Sequence, residues 1–114
     1  MKSSVKNILI GETILSLIHS SKEDKLLSDH KKWQKAILEI KNKHDIEEIN
    51  KLHFVDDYSY RLETSLFCME ALGLLNLRVY PKIYKIDRHE LEAFASSDKE
   101  IQEAGKIISK HLKY

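Results

Sequence analysis

Apolar side chains recur along the chain at spacings that divide it into helical segments around one extended stretch. From about Ser4 to His19, the residues Ile8, Leu9, Ile10, Ile14, Leu15, Leu17 and Ile18 cover far more than the roughly 100° stripe of a surface helix, so this segment needs burial on most sides. A core helix packed between two others would meet that need. So would a second copy or a partner covering part of it. A second helix is expected from "SSKE" to Lys43. Ser20 and Glu23 stand at capping-box spacing, and Leu26, His30, Trp33, Ile37 and Ile40 follow near one face, with Ala36 widening it. Trp33 and His30 on that face read first as core residues and only second as site residues. Asp45, with Glu48 three residues on, is expected to cap a short third helix whose apolar face is Ile46, Ile49 and Leu52. A fourth helix is expected from Asp57 or Tyr58 to Leu75. It carries Leu62, Leu66, Met69 and Leu72 on one face and Phe67, Cys68, Ala71, Leu74 and Leu75 on another. Only Arg61, Glu63, Thr64 and Glu70 are solvent-seeking there, which makes this the central helix.

The pattern changes in "ALGLLNLRVYPKIYKIDRHELEAF", residues 71–94. Leu77, Val79, Ile83, Tyr84 and Ile86 have the branched and aromatic side chains that suit a half-buried pleated surface, and Pro81 cannot donate to a central ladder. One or two short edge strands near 77–86 fit. A two-residue hairpin at Pro81-Lys82 fits poorly, because its favoured turns need positive φ, so two strands would require a looser connection. Asp87 with Glu90 then caps a helical segment. Leu91, Phe94, Ile101, Ala104, Ile107, Ile108 and Leu112 continue the pattern, broken at "ASSDKE", where Ser97 and Glu100 form another cap.

With 114 residues, three glycines, one proline and no linker or repeat, the chain is expected to be a single domain, residues 1–114. Its 42% hydrophobic and 32% charged content is enough to offset chain entropy, so wholesale disorder is not expected. Cys68 is the sole cysteine, which removes any internal disulfide and favours a reducing, cytoplasmic setting. Lys2 and Lys6 precede the apolar run "ILIGETILSLI", but Glu12 interrupts it and no small-residue cleavage site follows. It reads as a buried or amphipathic helix, too short to span a membrane. A formal net charge of +1 gives no global pull towards phosphate or anionic lipid, so any such case needs a local patch. Lys31, Lys32, Lys35, Lys41 and Lys43 cluster, as do Lys106, Lys110 and Lys113. On amphipathic helices such charges ordinarily form the solvated face.

Candidate chemistry is sparse. The six histidines have no i, i+4 pair and there is no cysteine pair, so neither a zinc site nor any cofactor is expected. In apolar flanks, Cys68 reads as a structural thiol, which burial would leave inert. Asp56 and Asp57 read as acids favouring the N-terminus of the fourth helix. No glycine-rich phosphate loop occurs, and a non-catalytic protein is expected. The densest aromatic cluster is Tyr58 and Tyr60 beside His53, Phe54 and Arg61. It either closes one end of the core or anchors a protein interface, since tyrosine and arginine bring large area with little rotamer loss.

Two resemblances follow. "MEALGLL" is similar to the hydrophobic end and Gly-Leu exit of many recognition helices, and "KIYKIDRHELEAF" to a second wing strand entering a helix, so residues 33–95 resemble a winged-helix domain. The resemblance implies a three-helix core with a β-wing and DNA binding through the helix 57–75. That helix, however, offers phosphates Asp57, Glu63 and Glu70 against Arg61 alone. The nearby basic residues are Arg78, Lys82, Lys85 and Arg88, offset by Asp87. His44-Asp45 resembles the metal-binding dyad of HD-domain phosphohydrolases, with His19 and Asp56 or Asp57 as further ligands. The expectation is therefore a mostly helical single domain of about five helices with a short β-hairpin. Its leading function is that of a non-catalytic interaction or assembly module, possible as a homodimer through its apolar terminal helices, with Tyr58, Tyr60, Arg61, Arg78, Lys82 and Lys85 as partner-binding residues. A DNA-binding regulator of winged-helix type is the alternative and a metal-dependent phosphohydrolase a distant third.

Overall fold

The computed structural model describes residues 2–114, with side chains from Ile10 onward. Its elements are α1 (Lys2–Ser21), β1 (Lys25–Leu27), α2 (His30–Lys43), α3 (Glu47–Asn50), α4 (Tyr60–Ala71), β2 (Asn76–Arg78), β3 (Ile83–Lys85), a 3-10 turn (Glu90–Phe94) and α5 (Lys99–Leu112). The architecture is mostly helical, in one compact domain with a small antiparallel sheet of order β1-β3-β2. Among the described residues no helix is long and apolar enough to cross a membrane.

Helix α1 lies at the centre, packed against α5, α4 and the 3-10 turn. Its described apolar residues Ile10, Ile14, Leu15, Leu17 and Ile18 are all buried, so the chain itself supplies the many-sided burial that their pattern demands. Lys2, Lys6, Ile8 and Leu9 of that pattern lie outside the described side chains. On α5, Ala104, Ile107, Ile108 and Leu112 are likewise buried. From Ile10 onward, then, the terminal helices spend their apolar residues on the core.

The expected second helix starts ten residues too early. Ser20 and Glu23 form no capping box. Helix α1 continues through Ser21 and ends where Lys22 takes a left-handed φ of 63°, and Arg88 donates to the Ile18, His19 and Glu23 carbonyls at 2.8–3.4 Å. Ile18 O also accepts from the Ser21 hydroxyl and His19 O from the Lys22 N–H, and the guanidinium adds a charged donor to the carbonyls that close the end of the helix. Leu26 then belongs to β1, opposite Tyr84, and Asp29 caps α2 by accepting the Lys31 N–H at 2.9 Å. Trp33 is a core residue whose indole N–H donates to the Leu27 carbonyl at 2.9 Å.

Asp45 does not cap α3 either: Ile46 is the N-cap residue, and the Asp45 carboxylate accepts from the Asn50 side chain. Asp56 and Asp57 sit outside α4 in a tight turn at φ 53° and 63°, closed by reciprocal backbone bonds between Val55 and Tyr58. The cap of α4 is Ser59, which accepts the Leu62 N–H. Gln34 fixes this corner, donating to the Ser59 carbonyl at 2.9 Å and accepting its N–H at 2.8 Å. The far end of α4 closes in a Schellman motif. Gly73, at φ 74°, supplies the left-handed residue, and Leu74 and Gly73 donate to Met69 and Glu70.

The hairpin forms as β2 and β3, joined through residues 79–82 with a cis Tyr80-Pro81 bond. The loose connection expected at Pro81-Lys82 is what the chain adopts. Asp87 accepts the His89 and Glu90 N–H groups at the 3-10 turn. The expected break before α5 is also present, its N-cap being Asp98, one residue after Ser97.

Candidate functional site

Glu63, Phe67 and Glu70 stand at i, i+4 and i+7 on α4, one stripe of a helix. The first residue of α2, His30, lies over that stripe. Its Nδ1 is 2.5 Å from Glu63 and its Nε2 2.8 Å from Glu70, and the Phe67 ring meets its edge at 4.8 Å between centroids. Tyr84 of β3, buried between Trp33 and this cluster, donates its hydroxyl to Glu70. Three elements distant in sequence are tied together here.

Partial burial opposes charging His30, but the hydrogen bonds to Glu63 and Glu70 and their negative charge outweigh it and raise its pKa above 6.5. Protonated, the ring donates from both nitrogens. Burial, and then donation to Glu70, push the Tyr84 hydroxyl far above its ordinary range, so it remains a donor. With both ring nitrogens spent on glutamates, the cluster is a brace and presents no lone pair to a ligand. A second carboxylate hub lies on the surface. Glu39 is held at about 2 by hydrogen bonds from His111, Lys110 and Lys43.

The six residues expected to bind a partner divide into two groups. Tyr58 is 43% and Tyr60 79% exposed, and with half-buried Arg61 they flank the start of α4. Tyr58 lines an open groove of about 820 Å³ between α2 and the 56–58 turn, together with Gln34, Leu38, Asp57 and Glu63. Phe54 packs half-buried on the core, while His53 is exposed. Arg78, Lys82 and Lys85 are exposed at the other end, around the hairpin. The twelve residues of α4, roughly 18 Å of helix at about 1.5 Å per residue, separate the groups.

Arg88 leaves the basic group by turning inward to cap α1. Lys85 is instead joined across the sheet by Lys25, directly opposite it on β1. Because side chains alternate between faces, Lys25, Lys85 and Arg78 share one face of the sheet with buried Ile83.

His44 and Asp45 have separate partners, Glu100 at 2.6 Å and Asn50 at 2.6 Å. Among the described residues no group of three His, Cys, Asp or Glu side chains is arranged to hold a metal ion. Cys68 is half-buried on α4.

Residues 67–80 carry a run of exposed apolar side chains. Phe67 is 56%, Leu72 72%, Leu74 51%, Leu77 45%, Val79 61% and Tyr80 92% exposed. The periodicity of α4 placed Leu72 with Leu62, Leu66 and Met69. Its helix ends at Ala71, and the chain leaves the core before Leu72 can reach it. Compared with known proteins, the chain matches no family model, no curated protein and no solved structure.

Proposed function

We propose that the protein is a non-catalytic interaction module whose docking surface is formed by residues 67–80. One observation carries this reading: six large apolar side chains within fourteen residues are exposed while the apolar residues of the helices around them are buried. Monomeric proteins scatter exposed apolar residues singly, and a concentration of them marks an interaction surface. Tyr80 and Arg78 within the run are of the types that anchor interfaces. A tagged full-length chain should associate with itself or with another protein, and Leu72→Asp with Tyr80→Asp should abolish that association while Glu103→Gln on α5 leaves it intact. Association that survives the double substitution would sink the reading.

The alternative, a DNA-binding regulator of winged-helix type, is favoured by one observation, the shared face of the exposed Lys25, Lys85 and Arg78. It requires duplex binding that falls steeply with salt and weakens on Lys85→Glu. Binding that is absent or indifferent to salt would remove it.

A further inference from the structure

Among the described residues the sheet has one open edge. The outer side of β1 is bridged by the chain's own Lys113 at Leu26, whereas β2 pairs with β3 alone. The alternation of an antiparallel ladder identifies the groups that face the open side. Ile86 N–H donates to the Asp24 carbonyl and Ser28 N–H to the Lys82 carbonyl. These are opposed residues, so Leu26 and Tyr84, midway between them, also form a hydrogen-bonded pair. Ile83 and Lys85 therefore direct their backbone groups the other way, to Arg78 and Asn76 of β2. Leu77, opposite Tyr84, is left with its N–H and C=O directed outward. Edge strands usually discourage pairing with charge or proline. Here Arg78 is the single charged residue between Glu70 and Lys82.

We propose that β2 pairs with β2 of a second copy, antiparallel about a two-fold axis at Leu77, joining two three-stranded sheets into one of six strands. This rests on the docking surface proposed above and names its occupant. The order of residues selects a copy of the same chain. About that axis Leu77 meets its counterpart and exchanges both backbone hydrogen bonds with it. Asn76 meets the partner's Arg78, a carboxamide oxygen accepting from a guanidinium, and the relation repeats by symmetry. Shifting the axis by one residue loses this match. At Arg78 it would set two guanidiniums face to face. At Asn76 it would need the Leu75 N–H, which already donates to Met69.

Sedimentation equilibrium of the full chain over a range of concentrations tests the register through the sign of two substitutions at exposed Asn76. Asn76→Glu places a carboxylate opposite each guanidinium and should tighten the dimer. Asn76→Arg opposes like charges and should weaken it. With two symmetry-related pairs per dimer, each change should be roughly two- to thirty-fold in Kd. Leu77→Cys, in a Cys68→Ser background, should give a covalent dimer on mild oxidation, because opposed residues of a hydrogen-bonded pair lie about 5.5 Å apart at Cα, within disulfide reach. A chain that stays monomeric up to about 1 mM, or a dimer that ignores both Asn76 substitutions and is not trapped at position 77, overturns the proposal. If such a monomer binds a different protein through Leu72 and Tyr80, only the second-copy inference fails. Binding indifferent to those two residues overturns the docking surface as well.

Discussion

Gly105 is where α5 crosses α1 most closely, and replacing it tests the packing of the whole bundle. A Cβ added there would lie 2.6 Å from the Ser20 carbonyl carbon and Cβ and 2.9 Å from the Ser20 oxygen. Ordinary contact begins at 3.4 Å, so Gly105→Ala requires the helices to part by about 0.8 Å, and the obstruction is backbone, which no rotamer change relieves. Overpacking of a well-filled core costs about 1–3 kcal/mol, and a backbone clash belongs at the upper end. Alanine recovers about 1 kcal/mol of helix propensity over glycine, leaving a net loss of about 1–2 kcal/mol.

Gly11 on α1 is the internal control. A Cβ there would stand 3.5 Å from Met69 Cγ and Sδ, an ordinary contact, so Gly11→Ala should keep the propensity gain and stabilise by about 0.5–1 kcal/mol. Urea or thermal unfolding of both variants measures the contrast. At roughly 4 °C per kcal/mol for a domain of this size, Gly105→Ala should melt about 4–8 °C below the wild type, with Gly11→Ala at or slightly above it. Ser20→Gly in the Gly105→Ala background should restore only part of the loss, because the carbonyl carbon and oxygen remain. Equal stability of Gly105→Ala and wild type would refute the close crossing of α1 and α5.

Two further outcomes are expected. Because folding raises the His30 pKa above 6.5, its contribution to stability is complete below about pH 6.5 and is lost as pH rises through the folded-state value. Wild type should therefore lose its stability advantage over His30→Gln as pH rises above about 6.5, and an advantage that stays constant or grows with pH would contradict the brace. Ser65 is fully buried on α4 and its hydroxyl has no hydrogen-bond partner among the described residues. Ser65→Ala, which removes an unsatisfied polar group and improves helix propensity, should raise the unfolding free energy by about 1 kcal/mol, and a loss measured by denaturant titration would show that the hydroxyl has a partner.

Much of the fold was legible in the sequence because it depends on local chemistry. The periodicities of α1 and α5 mark residues that are buried, the pattern 77–86 marks the hairpin, and Pro81 marks its loose turn. Boundaries moved where a single residue's conformation or a distant partner decided them. Nothing in "SSKE" announces that Lys22 will take a left-handed φ or that Arg88, some 70 residues on, will satisfy the end of α1. Strand β1 escaped notice because three residues, "KLL", carry no periodic signal, and their conformation is set by pairing with β3. Of the six expected site residues, Arg78 lies within the surface proposed here and Lys82 and Lys85 border it, while Tyr58, Tyr60 and Arg61 stand apart at the other end of α4.

Helix α4 shows why the apolar surface itself was hidden. By residue type, Glu63 and Glu70 belong outside and Phe67 and Leu72 inside. His30 reverses that assignment, since one imidazolium held between two carboxylates makes it favourable to draw both glutamates into the angle between α2, α4 and β3. Their stripe has only Phe67 between them, and once the stripe serves His30 the Phe67 ring can cover its edge but cannot enter the core. Leu62, Leu66 and Met69 already complete the buried face, and the turn at Gly73 sends Leu72 and Leu74 outward. Burial of the acids and exposure of the apolar run are thus one event, fixed by a histidine more than thirty residues away. The brace and the proposed docking surface share α4, so His30→Gln should perturb association through residues 67–80 most where the brace is fully formed, below about pH 6.5, which concentration-dependent sedimentation at two pH values would detect. Association of that variant matching wild type at both pH values would show that the brace and the surface are independent.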